Sequence, residues 1–202
     1  VTMFFSYGRA ETDYLSSRDP VLGAAIDRIG HIDREVFPDL FEALINSIAG
    51  QQISGKALAT VWKRLCAAVG AITPENLLTA GEERLRACGF SGRKVHYMLS
   101  AAQAVADGTL AIHSLVEKDD EEVIRALTAL PGVGRWTAEM LLTFSLQRPD
   151  VLAYDDLGIR KGMCRLYGLD SVSKAQLAEY RARYAPHATV AALYLWHIAA
   201  EA

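Results

Sequence analysis

The sequence predicts an all-α protein of ten or so short helices. Three observations carry that prediction. Apolar residues recur at helical spacing through most of the chain. Helix-start and helix-stop signatures punctuate it at short intervals. No segment alternates apolar and polar residues with period two over the length of a strand.

The elements follow in order. Residues 39–50 place Leu40, Phe41, Leu44, Ile45 and Ile48 on one helical face. Residues 54–69 do the same with Ala57, Leu58, Val61, Trp62, Leu65 and Val69. Thr73 and Pro74 begin the next helix as N-cap and first helical residue. Thr79 to Glu82 and Ser173 to Gln176 have capping-box spacing, so each marks a helix start. Gly89 follows a helix ending at Cys88, as a C-terminal stop does. Asp119 to Glu122 set four acids at the front of a helix over about 120–129, where the helix dipole favours negative charge. The turn Leu130-Pro131-Gly132-Val133-Gly134 then leads into an apolar helix. Asp155 and Asp156 stand before a further helical segment. Connections are short, and no Pro/Gly/Ser-rich linker, long repeat or low-complexity tract interrupts them.

Composition narrows the function classes. The chain has 202 residues, 51% of them hydrophobic, enough for a substantial core. No apolar run is long enough to span a bilayer, and the first residues lack a basic-then-apolar signal pattern, so an intracellular address is expected (cytoplasm or nucleoid in a bacterium). Cys66, Cys88 and Cys164 are three and far apart, which argues against disulfides and against a four-thiolate iron–sulfur cluster. The five histidines show no zinc-ligand spacing, so no zinc is expected. A net charge of −3 excludes bulk electrostatic coating of nucleic acid; any grip must come from a local patch and backbone dipoles.

The turn at 130–134 offers such a grip. Pro131 pre-sets its φ, and Gly132 and Gly134 permit conformations that a Cβ forbids. The first N–H groups of the following helix lack intrahelical partners and point at whatever lies before them, a phosphate above all. The hydroxyl of Thr137 adds a donor. Two helices flanking such a turn hold a phosphate without reading sequence. The acid pair is ambiguous on its own, because adjacent acids before a helix are commonly caps or loop residues.

The string Leu130 to Ala138 closely resembles the helix–hairpin–helix DNA glycosylases that carry a Gly-Pro-Asp signature. Within them it is most similar to the 3-methyladenine DNA glycosylase II branch, of the bacterial AlkA and yeast Mag type. Ala43 to Ser54 match the helix and turn near the start of the family's central domain. Gly89-Phe90-Ser91-Gly92-Arg93-Lys94 match a family loop, and Tyr184 to Trp196 its closing helix. The match runs from about residue 38 to the end.

The resemblance implies a two-lobed helical fold with a central cleft and no iron–sulfur cluster. Residues 37–145 would form the central barrel ending in the hairpin; 1–36 plus 146–202 would form the lobe carrying the catalytic acid. That acid corresponds to Asp156. Bifunctional relatives carry a Schiff-base lysine at the position of Trp136, so its absence implies a monofunctional enzyme. Trp136, Met140, Leu157 and His187 match the base pocket, though three of them are not the aromatic residues of the larger bacterial relative. A family arginine falls at or near Ala188. Gln52 matches the residue that fills the gap left by a flipped base. Arg93, Lys94, Arg135, Arg160, Lys161 and Arg165 are candidate phosphate contacts. The carbonyls of Thr128, Leu130 and Val133 match a site for a monovalent cation, Na+ or K+. The implied activity is excision of alkylated purines, such as 3-methyladenine and 7-methylguanine, from double-stranded DNA by a monomer needing no cofactor. Another lesion class (hypoxanthine, ethenoadenine, a deaminated or oxidised base) and a non-catalytic DNA-binding module remain open alternatives.

Overall fold

The computed structural model describes residues 2–201. Strand β1 (Met3–Phe4) is followed by α1 (Arg9–Arg18), α2 (Pro20–Ile29) and strand β2 (Glu35–Val36). Helices α3 (Leu40–Gly50), α4 (Gly55–Val69), α5 (Pro74–Ala87) and α6 (Gly92–Ala106) come next, then a 3-10 turn at Ile112–Glu117. Helices α7 (Asp120–Thr128), α8 (Arg135–Phe144), α9 (Leu157–Tyr167), α10 (Lys174–Tyr184) and α11 (Ala188–Ala200) complete the chain. The fold is all-α, as the periodicities predict. The exception is the antiparallel pair β1–β2, with Met3 opposite Val36. Two-residue strands are too short to carry a period-two signal. Among the described residues, no helix is long and apolar enough to cross a membrane.

The chain divides into two compact units, Phe37–Leu141 and Val1–Val36 with Leu142–Ala202. In the first, α3 buries Phe41, Leu44, Ile45 and Ile48, the face read from sequence. On α4 only Leu65 is fully buried; Val61, Trp62 and Val69 are half-buried, so this helix lies at the surface of its unit. Thr73 caps α5 by accepting the Asn76 N–H. A new helix does begin close after Thr79: Pro74–Ala87 is two helices joined across a kink at Gly81, whose φ of +68° only glycine adopts without strain. The acid run lies at the front of α7, and there the structure adds a capping box: Asp119 accepts the Glu122 N–H, and Glu122 reaches back to the Asp119 N–H.

In the second unit, α11 is buried nearly all round, with every residue from Ala188 to Leu195 in the core. It meets α9 at very short range. A Cβ on Gly162 would lie 2.1 Å from the Leu195 carbonyl oxygen, so only glycine permits the approach. Buried Asp19 ties α2, α9 and α10 together. It accepts the Val21 and Leu22 N–H groups, the Tyr167 hydroxyl and the Arg183 guanidinium. Burial pushes this carboxyl up, but the Leu22 amide, Arg183 and Tyr167 outweigh it and hold it below the ordinary carboxylate range.

Candidate active site

Asp156 is the N-cap of α9 and only 7% exposed. Its Oδ1 accepts the Ile159 N–H at 2.9 Å and the indole Nε1–H of Trp196, on α11, also at 2.9 Å. Two N–H donors on one oxygen fix the plane and direction of the carboxylate. Trp196 is itself packed against Phe144, ring centroids 5.3 Å apart, and the Arg34 guanidinium lies 4.5 Å above the Phe144 ring. Gly158 makes the Trp–Asp contact possible. A Cβ there would lie 2.7 Å from Trp196 Cδ1 and 3.1 Å from Asp156 Oδ1. Gly158 and Gly162, one turn apart, thus both clear space for α11.

The other residues singled out in this unit are dispersed. Asp155 is exposed. Leu157, the first residue of α9, is 72% exposed. The half-buried His187 ring packs edge-on against Tyr14 at 5.1 Å. Arg160 lies over the Tyr154 ring at 5.3 Å, and its buried Nε has no hydrogen-bond partner. Lys161 is exposed. Arg165 donates to the carbonyls of Ile198, Ala199 and Glu201, where it caps the end of α11.

In the other unit, α7 and α8 flank the glycine turn. The turn closes through Val133 N–H to the Leu130 carbonyl at 3.2 Å. Gly132 has φ +78°, and a Cβ on it would fall 2.2 Å from the Tyr97 ring. Tyr97 therefore lids the turn. Gln51 donates its Nε2–H to the Gly132 carbonyl at 2.8 Å, which pins the α3–α4 turn to the hairpin. Lys94 donates to the Ala49 carbonyl at 2.7 Å, and burial draws its ammonium below its ordinary value. Gln52, Arg93, Lys94, Gly132, Trp136 and Thr137 line one groove of about 610 Å3. Gln52 is exposed at the tip of its turn with φ +57°, rare for a residue with a side chain. Trp136 is 45% exposed, and Met140, one turn further on, is half-buried.

Arg135 is spoken for. Its guanidinium donates to both Glu121 oxygens, at 2.6 and 3.2 Å, and to Glu139 at 3.2 Å. A phosphate there would have to compete with two carboxylates. The carbonyls of Thr128, Leu130 and Val133 are hard oxygen donors of the kind a monovalent cation takes. That of Leu130 already accepts Val133 N–H but keeps a second lone pair, so the donor set fits such an ion. Among the described residues, no cluster of three His, Cys, Asp or Glu side chains has metal-site geometry.

Residues 45–187 match the family described as "HhH-GPD superfamily base excision DNA repair protein". The chain belongs to this family. It is similar to DNA-3-methyladenine glycosylase 1 of Schizosaccharomyces pombe, with 39% identity over 161 residues that span 77% of this chain and 71% of the yeast protein. Among solved structures, DNA-3-methyladenine glycosidase of Bacillus halodurans superposes with a TM-score of 0.87 at 36% identity, covering 98% of this chain and 93% of its own. The S. pombe 3-methyladenine DNA glycosylase Mag1, in complex with abasic DNA, gives 0.83 at 34% identity, covering 93% and 95%.

Several participants had no sequence assignment. Trp196 belongs to the closing-helix resemblance, but nothing in the sequence shows that its indole reaches an acid 40 residues earlier. Gly158 and Gly162 carry a signal that could have been found, small residues one helical turn apart. Gln51 and Tyr97 act on the hairpin only through the fold.

Proposed function

We propose that this chain is a monofunctional DNA glycosylase that excises alkylated purines, of the 3-methyladenine and 7-methylguanine type, from duplex DNA in base excision repair. The observation that carries the reading is the buried Asp156 carboxylate, clamped through Oδ1 by Trp196 and Ile159. Breaking an N-glycosidic bond builds positive charge on the sugar. A carboxylate already fixed in a sparsely hydrated place stabilises that charge without reorganising. Water then bonds to the sugar's anomeric carbon and gives up a proton, with Asp156 as the acceptor. The C–N bond electrons leave with the base. An alkylated purine is cationic before cleavage and departs neutral, so no side chain need protonate it.

Trp136 at the lysine position leaves no amine for a Schiff base, and the products are free base and an abasic site. Its exposed indole offers a face for a cationic base, worth roughly 0.5–2 kcal/mol. The hairpin groove with Arg93 takes backbone phosphate; the Thr128, Leu130 and Val133 carbonyls would hold a monovalent cation, which would add positive charge to that grip. Gln52 fills the gap left by the flipped base. The names of the similar yeast and bacterial proteins support this substrate class.

A panel of duplexes, each with one defined lesion, tests the reading by scoring base release before and after alkali. Release of 3-methyladenine and 7-methylguanine, with strand breaks only after alkali, is the expected result. Stable borohydride-trapped enzyme–DNA adducts would overturn the monofunctional assignment, and release confined to neutral lesions would overturn the substrate class.

A further inference from the structure

The outer face of α4 carries charge that the hairpin and acid site do not use. Lys56, Thr60, Lys63, Arg64 and Ala67 fall at i, i+4, i+7, i+8 and i+11, and with Ala59 they line a shallow groove of about 500 Å3. The three cations are exposed, and the residues between them are small. No Asp or Glu occurs in Gly55–Val69, although the chain as a whole carries a net charge of −3. Elsewhere in the same unit, Arg86 meets Glu82, Lys118 meets Glu122, and Arg135 meets Glu121 and Glu139. Among the described residues, Lys56, Lys63 and Arg64 have no such carboxylate within salt-bridge distance. A concentrated, unneutralised patch on an acidic protein costs self-repulsion, and binding a polyanion relieves it.

Its position names the polyanion. Ser54 caps α4 directly after the Gln51–Gln52 turn, and Gln51 is bonded to the hairpin carbonyl of Gly132. A nucleic-acid strand held at the hairpin and passing Gln52 meets Lys56 next. From Lys56 to Lys63 is two helical turns, about 10.5 Å. That length matches roughly three base-pair steps of B-DNA. Thr60, between them, donates its hydroxyl to the Lys56 carbonyl at 3.1 Å, so the contact falls to the three cations. We infer that this face of α4 is a second, sequence-independent contact with the phosphate backbone of duplex DNA flanking the lesion. The inference rests on the glycosylase reading for its ligand. It needs no base readout, because contacts from lysine and arginine to phosphate position a duplex without carrying sequence information.

Salt dependence tests it. Each phosphate neutralised steepens the fall of log binding constant with log salt by about 0.9 for B-DNA. The triple variant Lys56→Gln, Lys63→Gln, Arg64→Gln is compared with the unaltered chain on a duplex containing a stable abasic-site analogue. The slope is expected to become shallower by about 2–3, and binding to weaken at low salt, while the single-turnover rate at saturating enzyme stays the same. A control variant, Arg9→Gln with Arg18→Gln on α1, changes net charge in the other unit and should leave the slope unaltered. An unchanged slope in the triple variant, or an equal per-charge change in the control, would overturn the inference. Base release tests the glycosylase reading separately: a chain that releases no lesion but keeps the salt-slope difference loses its activity assignment and keeps this DNA surface. A chain that binds no duplex loses both.

Discussion

Replacing Trp196 by Phe isolates the contact that holds Asp156. The change removes the indole Nε1–H that lies 2.9 Å from Oδ1 while leaving an aromatic ring against Phe144, itself 5.3 Å away in the native chain. A hydrogen bond to a charged acceptor is worth about 1.5–3 kcal/mol. If the bond serves to hold the carboxylate in its reacting position, that range becomes a loss of roughly 10- to 150-fold in the rate of the chemical step. The assay is single-turnover release of 7-methylguanine from a duplex with enzyme in excess, so that binding and product release drop out. Gly158→Ala should act in the same direction, since its methyl would lie 2.7 Å from Trp196 Cδ1 and force the ring away. Circular dichroism and thermal melting of both variants check that the fold survives. A Trp196→Phe chain that melts normally and cleaves at the native rate would refute the idea that Trp196 positions the acid.

Three further outcomes follow from the packing. Gly162→Ala drives a methyl to within 2.1 Å of the Leu195 carbonyl and should destabilise by about 3 kcal/mol or more in urea unfolding, since overpacking alone commonly costs about 1–3 kcal/mol and here the obstacle is backbone. Gly132→Ala meets both a positive φ and the Tyr97 ring; melting should fall, and abasic-duplex binding with it, and adding Tyr97→Ala should restore the steric part but not the roughly 1–2 kcal/mol of backbone strain. Asp19 has a folded-state pKa held below its unfolded value, so its contribution is present above an ordinary carboxylate pKa of about 3.9 and is lost as pH falls through the depressed folded value. Asp19→Asn should therefore be less stable at neutral pH and show a flatter loss of stability between about pH 5 and 2, measured by denaturant titration at each pH.

Most helices were legible because their signals are local. The α3 face, the Thr73–Pro74 start, the acid run at the front of α7 and the capping box at Ser173 each depend on residues within one or two turns, and each formed as read. Near Thr79 a new helix does start, with the break at Gly81, which is free to take a left-handed φ. The strand pair was invisible because each partner is two residues long and its mate lies some thirty residues away in sequence. At the site, the place of Asp156 before a helix could be read from the chain. What could not be read was long-range: the Trp196 indole on its carboxylate, the Gln51 amide on the hairpin carbonyl, and the two glutamates that engage Arg135. Charge alone marks Arg135 as a candidate phosphate contact; the structure adds that two glutamates engage it.

The most direct measurement compares the unaltered chain with Asp156→Asn in single-turnover excision of 7-methylguanine from duplex DNA, with binding to an abasic-site analogue measured alongside. The asparagine keeps the size of the side chain and an oxygen able to accept from Ile159 and Trp196, and removes the negative charge. Base release by the unaltered chain, and its loss by two orders of magnitude or more in the variant with binding retained, is the expected result; each tenfold is about 1.4 kcal/mol of lost transition-state stabilisation. Equal release by both chains would contradict the assignment of Asp156 as the catalytic carboxylate.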